Sequence, residues 1–379
     1  MNVWKVPNLR FPEFTEAWSE CELYEISHIS KGTGISKDQL SESGSPCILY
    51  GELYTKYKTE IITEIFSKTD IDDAHLVRSK KNDVIIPSSG ETAIDISMAR
   101  CVPFNDILLG GDLTIIRLQK HDGRFFSYQL NGVRKKDIAK IAQGVSVVHL
   151  YGENLKRLKV KYPSVNEQNK ISSLLALIDE RIATQSRIIE DLEKLRSAIR
   201  ERVFSRVLLN YEPNMQIRDV LSYEQPTRYI VLDTEFSNDA TLIPVLTANK
   251  AFILGYTDET DGVYRKGECI ILDDFTLDCK IVDFPFKVKS SAIKILAAKP
   301  SISIRYMYEY LKYLDLDTSE HKRHYITEIE PMEIVVPSHT EMDSIARLFD
   351  TLDERHFIAQ CTLQGYQTQK RYLLSQMFI

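Results

Sequence analysis

The sequence has no Cys-x-x-Cys pair, and its six cysteines (Cys21, Cys47, Cys101, Cys269, Cys279, Cys361) are scattered through 379 residues. That pattern supports neither a disulfide framework nor, with eight unclustered histidines, a zinc site. No stretch approaches the roughly 20 apolar residues of a membrane span, and Met1 to Pro12 lacks the apolar run of a signal peptide. Both absences fit a reducing cytoplasm. Charge of one sign is also missing in bulk: 48 basic and 54 acidic residues leave −6, which excludes a simple polycation but not a local basic face. The phosphate loop Gly-x-x-x-x-Gly-Lys-[Ser/Thr] is absent, which excludes a P-loop ATPase, and so is His-Glu-x-x-His. An apolar share of 43% and a charged share of 27% belong to an ordinary folded protein, and the length suggests two or three domains.

What is present is a duplication. Shifted by 174 residues, Tyr151 falls on Tyr325, Pro163-Ser164 on Pro337-Ser338, and Glu167 on Glu341. In the same register Ile171 falls on Ile345, Leu174 on Leu348, Asp179-Glu180-Arg181 on Asp353-Glu354-Arg355, and Phe204 on Phe378. Each copy reads as a long helix. Ser164-x-x-Glu167 and Ser338-x-x-Glu341 have capping-box form. Apolar residues then recur at helical spacing, through Ile171, Leu174, Ile178, Leu192, Leu195 and Ile199 in the first copy. The second carries Ile345, Leu348, Leu352, Tyr366 and Leu373. A helix from Ser164 to about Leu209 is on the order of 65 Å long and its stripe needs a partner, which the other copy can supply. Two equivalent helices of one chain related by a two-fold axis pair antiparallel. The competing reading is two core helices of separate domains.

The sequence predicts four segments: globules at 1–162 and 211–336, and long helices at 163–210 and 337–379. The globules read as mixed α/β, with short β-type runs such as Asp83–Ile86, Leu113–Arg117 and Cys269–Leu272 punctuated by glycine turns. Each has a basic section. Arg117 to Lys161 holds 11 basic and 3 acidic residues, net +8; Lys280 to Lys312 holds 7 and 2, net +5. Phosphate contacts would explain the excess, and so would a solvated lysine-rich face.

Several motifs resemble the specificity subunits of type I restriction–modification systems. They are Leu9-Arg10-Phe11-Pro12-Glu13-Phe14 with Trp18, Lys31-Gly32-Thr33-Gly34-Ile35-Ser36-Lys37, and Pro46-Cys47-Ile48-Leu49-Tyr50-Gly51-Glu52-Leu53-Tyr54. Ile86-Pro87-Ser88-Ser89-Gly90-Glu91-Thr92, Gly110-Gly111-Asp112-Leu113 and Gln143 to Tyr151 continue the likeness. In the second half, Pro244 to Lys250, Asp273-Asp274-Phe275 and Phe284 to Ser291 do the same. The resemblance implies an α+β fold: two target-recognition domains separated by two long helices that form an antiparallel coiled coil with a pseudo-two-fold repeat. It also implies a role, in which each domain reads one half of a bipartite target in double-stranded DNA and the helices set the gap. Two readers about one turn of DNA apart, near 34–36 Å, would face one side of the duplex.

The implied partners are two adenine methyltransferase subunits and the motor nuclease subunits. S-adenosylmethionine, ATP and magnesium are expected on those partners, with no cofactor or metal on this chain. No Asn/Asp-Pro-Pro-Tyr/Phe tetrapeptide like that of adenine methyltransferases occurs, so the chain is expected to be non-catalytic. Candidate DNA contacts are Ser36, Lys37, Tyr54, Ser88, Ser89, Glu91, Gln143, Ser146 and His149 in the first globule. In the second they are Asn249, Lys250, Lys289, Ser290, Arg323, His324 and Tyr325. For the glycine-flanked members turn chemistry competes with base reading, for Tyr54, Tyr151 and Tyr325 core packing is the expected role, and His149 reads equally as a satisfied buried imidazole. Two other functions compete: a metal-dependent endonuclease built on Asp273, Asp274, Asp278 and Lys280, and a coiled-coil scaffold indifferent to DNA sequence.

Overall fold

A computed structural model describes residues 6–71, 75–144, 146–248, 251–316 and 323–379. It divides into two compact units, one of residues up to Ser186 with Cys361–Ile379 and one of Arg187–Gln360. The division cuts both long helices near their middles, because each half packs with its own globule. Sequence order alone grouped the residues differently, with every helix a separate segment.

In the first unit, β1 (Ser19–Glu22) pairs with β11 (Lys159–Tyr162). A four-stranded antiparallel sheet has the order β2-β9-β5-β7, from Ser27–Lys31, Leu113–Leu118, Asp83–Pro87 and Arg100–Val102. A three-stranded sheet has the order β4-β3-β8, from Ser67–Thr69, Ser45–Ile48 and Leu108–Leu109, with β3 and β8 parallel. All five residues of β5 are buried, as a central strand covered on both faces requires. Asp122 caps the helix Gly123–Asn131 that follows β9, accepting from the Arg124 N–H at 2.9 Å. A short ribbon, β6 (Ser89–Gly90) against β10 (Val148–His149), completes this unit.

The second unit repeats the plan. β12 (Met215–Gln216) pairs with β20 (Glu333–Ile334). The four-stranded sheet is β13-β19-β16-β17, from Leu221–Glu224, Ile293–Ala298, Cys269–Asp273 and Cys279–Val282. The three-stranded sheet is β15-β14-β18, from Ile253–Thr257, Ile243–Leu246 and Lys287–Val288, again with one parallel pair, β14 and β18. Ser303 caps the helix Ile304–Tyr313 after β19, accepting from Tyr306 N–H at 3.2 Å. The globules thus share a topology that their sequences had lost; only the helices kept a readable repeat.

The long helices run Val165–Asn210 and His339–Gln376. Sheltered positions on the first step alternately by four and three: Ile171, Leu175, Ile178, Ile182 and Gln185 in the first unit, then Ile189, Leu192, Arg196, Ile199 and Val203 in the second. On the other helix they are Met342, Ile345, Phe349, Leu352, His356 and Ala359, and in the first unit Leu363, Tyr366, Lys370, Leu373 and Met377. This 3.5-residue period is that of a left-handed coiled-coil seam. Pairing is antiparallel in each unit. Asp179 meets Lys370 at 2.6 Å and Arg181 lies over Tyr366 in the first; Glu193 meets His356 at 3.3 Å and Arg196 meets Asp353 at 2.8 Å in the second.

Of the residues expected to pair the helices, Ile171, Ile178, Ile345, Leu352 and Leu373 are buried, and Leu174, Leu192, Ile199 and Tyr366 are half-buried. Leu195 (48% exposed) and Leu348 (40%) stand outside the seam, one position from Arg196 and Phe349. The hydrophobicity pattern favours leucine there, but the strict alternation of steps puts a guanidinium and a phenyl ring inward. The caps also differ from expectation. Glu167 does not close a capping box: its carboxylate takes two hydrogen bonds from Arg10, both 2.7 Å, and one from Trp18 Nε1 at 3.3 Å. That grip accounts for the Leu-Arg-Phe-Pro segment with Trp18. Glu341 accepts from the Tyr211 hydroxyl at 2.7 Å, while Ser338 Oγ accepts from the Glu341 N–H.

Candidate nucleic-acid interface

In the first unit, backbone hydrogen bonds tie the sequence-predicted residues into one surface. Gln143 and His149 exchange N–H···O bonds at 2.9 and 2.7 Å, closing a loop whose turn needs Gly144 at φ +127°. A Cβ there would sit 2.0 Å from the Val147 carbonyl oxygen. His149 pairs with Ser89 in the ribbon, and Leu150 N–H donates to the Ser88 carbonyl at 2.9 Å. Gln143, Ser146 and His149 are exposed, and the imidazole of His149 stacks on the Tyr151 ring at 6.1 Å and 29°.

The serines lie beneath that surface. Ser88 is buried, its hydroxyl sharing a 2.7 Å hydrogen bond with Thr114 and its N–H donating to the Asp112 carbonyl. Ser89 Oγ donates to Asp112 Oδ2 at 3.0 Å. Both therefore position the ribbon, and Glu91 stands exposed beyond it. Tyr54 is half-buried, and burial, with Tyr50, Glu91 and Asp95 nearby, pushes its phenol pKa up. Ser36 caps the short turn Lys37–Gln39, bonding the Gln39 side chain, and Lys37 is exposed. Their loop approaches the same region, since Gly32 N–H donates to the Leu113 carbonyl and Gly34 packs on Gly111.

In the second unit the corresponding place is built from charge. Asp274 follows β16 as Ser88 follows β5, and its N–H donates to the Ala292 carbonyl. Its Oδ1 accepts from the backbone N–H groups of His324 (3.2 Å) and Tyr325 (2.8 Å). Its Oδ2 lies 3.0 Å from Lys294 Nζ and 4.0 Å from Arg323 Nε. Arg323 also donates to Ser291 Oγ at 3.4 Å and is more than half exposed, so it carries its charge to the surface. Lys289 and Ser290 are exposed beside it in chain order, and Lys289 N–H donates to the Leu246 carbonyl. His324 and Tyr325 are buried; the imidazole bonds Glu328 at 2.6 Å and the tyrosine ring packs on Tyr223. Buried rings do not reach a base, so these two serve the scaffold. Asn249 and Lys250 lie outside the described residues.

The segment charges overstate the free cations. In the second unit Lys287 is held by Glu259 at 2.6 Å, Lys294 by Asp274, and Lys312 faces Asp278 at 3.9 Å. Arg305 meets Glu309, Asp350 and Asp353. In the first, Asp83 holds Arg117 through two bonds and Asp122 holds Arg124. Lys120, Lys136, Arg157 and Lys159 remain exposed there. The acids of the nuclease alternative are likewise committed: Asp273 Oδ1 accepts from the N–H groups of Phe275 and Thr276, and Asp274 serves the cluster above. Among the described residues no three His, Cys, Asp or Glu side chains gather as metal ligands, and no helix is long and apolar enough to cross a membrane. Sequence reasoning missed Thr114, Lys294 and the positioning use of Asp274, whose partners lie far away in the chain and carry no local signal.

Residues 15–194 match the family described as the type I restriction modification DNA specificity domain. A 129-residue stretch is 42% identical to the specificity subunit of the type I restriction enzyme EcoR124I/EcoR124II of Escherichia coli, covering 32% of this chain and 32% of that relative. The fold is similar over 99% of both chains to the S subunit of a type I restriction-modification system from M. genitalium, with a TM-score of 0.68 at 16% identity. It is similar too, at a TM-score of 0.54, 12% identity and 95% and 97% coverage, to a chain in a structure describing assembly and conformational transition of the type I R-M system. Residues 15–194, just under half of the chain, thus carry the likeness to the type I specificity domain, and the duplicated α/β units with their helix seams share the fold of the M. genitalium S subunit.

Proposed function

We propose that the chain is the non-catalytic DNA-specificity subunit of a type I restriction–modification complex and that each unit reads one half of a bipartite target. The carrying observation is the duplication: two globules of one strand order, each joined to half of each long helix, with different side chains at the equivalent surface. Identical scaffolds with unlike surfaces suit two readers of unlike sequences. Exposed cations such as Lys37, Lys289 and Arg323 supply phosphate or base contacts, and the ribbon of Gln143 to His149 supplies polar side chains for base edges. The helices set the gap between the half-sites. Two methyltransferase subunits bring S-adenosylmethionine and the methyl transfer, and motor nuclease subunits bring ATP and magnesium. The complex works in the cytoplasm.

The test is co-expression with a cognate methyltransferase, followed by single-molecule mapping of methyladenine. A split motif with a fixed gap is expected. Replacing 211–336 by the same segment of a relative should change one half of that motif and leave the other. A change in both halves, or methylation without sequence preference, would overturn the reading.

A further inference from the structure

We propose that Arg323 reads a guanine in the half-site of the second unit, and that Asp274, backed by Lys294, is the positioning residue that aims it; this rests on the function proposed above. The geometry has three parts. First, Asp274 and Lys294 are buried (side chains 2% and 4% exposed) and paired at 3.0 Å, with Lys294 also 5.0 Å from the Tyr223 ring. A buried carboxylate so anchored is a fixed point, because its charge is already neutralised and its oxygens aimed. Second, that carboxylate takes the N–H groups of the two residues after Arg323, which fixes the backbone carrying the guanidinium. Third, Arg323 emerges from this grip more than half exposed, with Nε toward Asp274 Oδ2 and Nη2 toward Ser291 Oγ. A guanidinium has five donors; with Nε toward Asp274 and one Nη2 N–H on Ser291, both Nη1 N–H groups and the second Nη2 N–H are left for a ligand on a side chain more than half exposed. Such a guanidinium, held from behind, matches the N7 and O6 acceptors of guanine in the major groove, whereas a swinging cation would favour phosphates.

The first unit supplies the contrast. At the equivalent point Ser88 and Thr114 share a neutral hydrogen bond, and the segment above presents Gln143 and His149. The same scaffold thus tolerates an uncharged pair, which makes a conservative test available.

The experiment maps methylation by the full complex carrying wild-type chain, Arg323→Lys, Arg323→Ala, or the double variant Asp274→Ser with Lys294→Thr, which installs the first unit's own pair. Arg323→Ala and Arg323→Lys should relax preference at a single guanine of one half-site by about 10- to 100-fold and leave the other half unchanged. The double variant should relax the same position. If Arg323→Lys keeps the preference, or if every position weakens alike, Arg323 is a phosphate contact and the proposal fails. A second half-site without guanine would also sink it while leaving the subunit's proposed function intact. If wild-type chain yields no split motif, the function itself fails. Loss of assembly by the double variant, with Arg323→Ala changing no base preference, would assign Asp274 and Lys294 to folding alone.

Discussion

The two units carry one strand order on two chemistries. Where β5 ends, Ser88 and Thr114 share a neutral hydrogen bond; where β16 ends, Asp274 and Lys294 form a buried ion pair. The helix seams differ in the same sense. In the first unit Asp179 receives the Tyr128 hydroxyl and Lys370, which also meets Glu60. In the second, Asp353 meets Arg196 and Arg305, while a fully buried Glu309 gathers Arg196 and Arg200. The repeat places Asp179 on Asp353 and Lys370 on Arg196, so one ancestral contact persists across the seam in both. Strand order and seam are thus what duplication preserves, because they are set by burial and period. Polar pairs are free to diverge provided that each buried charge keeps a partner.

The largest test of this contrast is Glu309→Ala. It takes from Arg200 its buried carboxylate partner and leaves Arg196 and Arg305 to share Asp353, and should destabilise the second unit by about 3–5 kcal/mol, read as lost hydrogen-exchange protection in Ile304–Tyr313. Tyr128→Phe, the corresponding change in the first unit, removes one hydrogen bond to a carboxylate and should cost about 1.5–3 kcal/mol. Equal losses would mean that the two clusters are energetically alike and that the comparison is wrong.

Gly144→Ala should come next, because φ is +127° and the new Cβ would collide with the Val147 carbonyl. About 1–3 kcal/mol of strain should loosen the ribbon and relax recognition of the first half-site only. Relaxation at the second half-site in methylome maps would break the one-unit, one-half assignment.

The smallest effect concerns pH. Burial lowers the pKa of His121, whose Nδ1 lies 3.0 Å from the Gln168 side-chain nitrogen. A histidine depressed in the fold is more easily protonated when unfolded. Its stabilising share is therefore present above the unfolded value of about 6.5 and is lost as pH falls from there toward the lower folded value. Protection of the first unit should drop between neutral and mildly acidic pH, and His121→Gln should flatten that slope; an unchanged slope would remove His121 as its cause.

Much of the plan was readable because it is written in local spacing. The shifted register of Asp179-Glu180-Arg181 and Asp353-Glu354-Arg355 exposed the doubled helices, and apolar runs such as Cys269–Leu272 exposed central strands. The candidate surface was only half legible. A glycine-flanked motif pointed to Gln143, Ser146 and His149, which are exposed, but the second-globule candidates His324 and Tyr325 are buried. Segment charge misled for a physical reason: Lys287, Lys294 and Arg305 face acids far away in sequence, and a window that sums charge cannot see them.

By itself the sequence determined the duplication, the two long helices and the mixed α/β character of what lies between them, since each follows from periodicity along the chain. Tertiary structure alone decided that the globules share a strand order, that Arg196 and Phe349 turn inward in place of their leucine neighbours, and that Asp274 grips the backbone after Arg323. Those outcomes depend on which distant groups must share a burial site, and burial is a property of the folded chain rather than of any stretch of it.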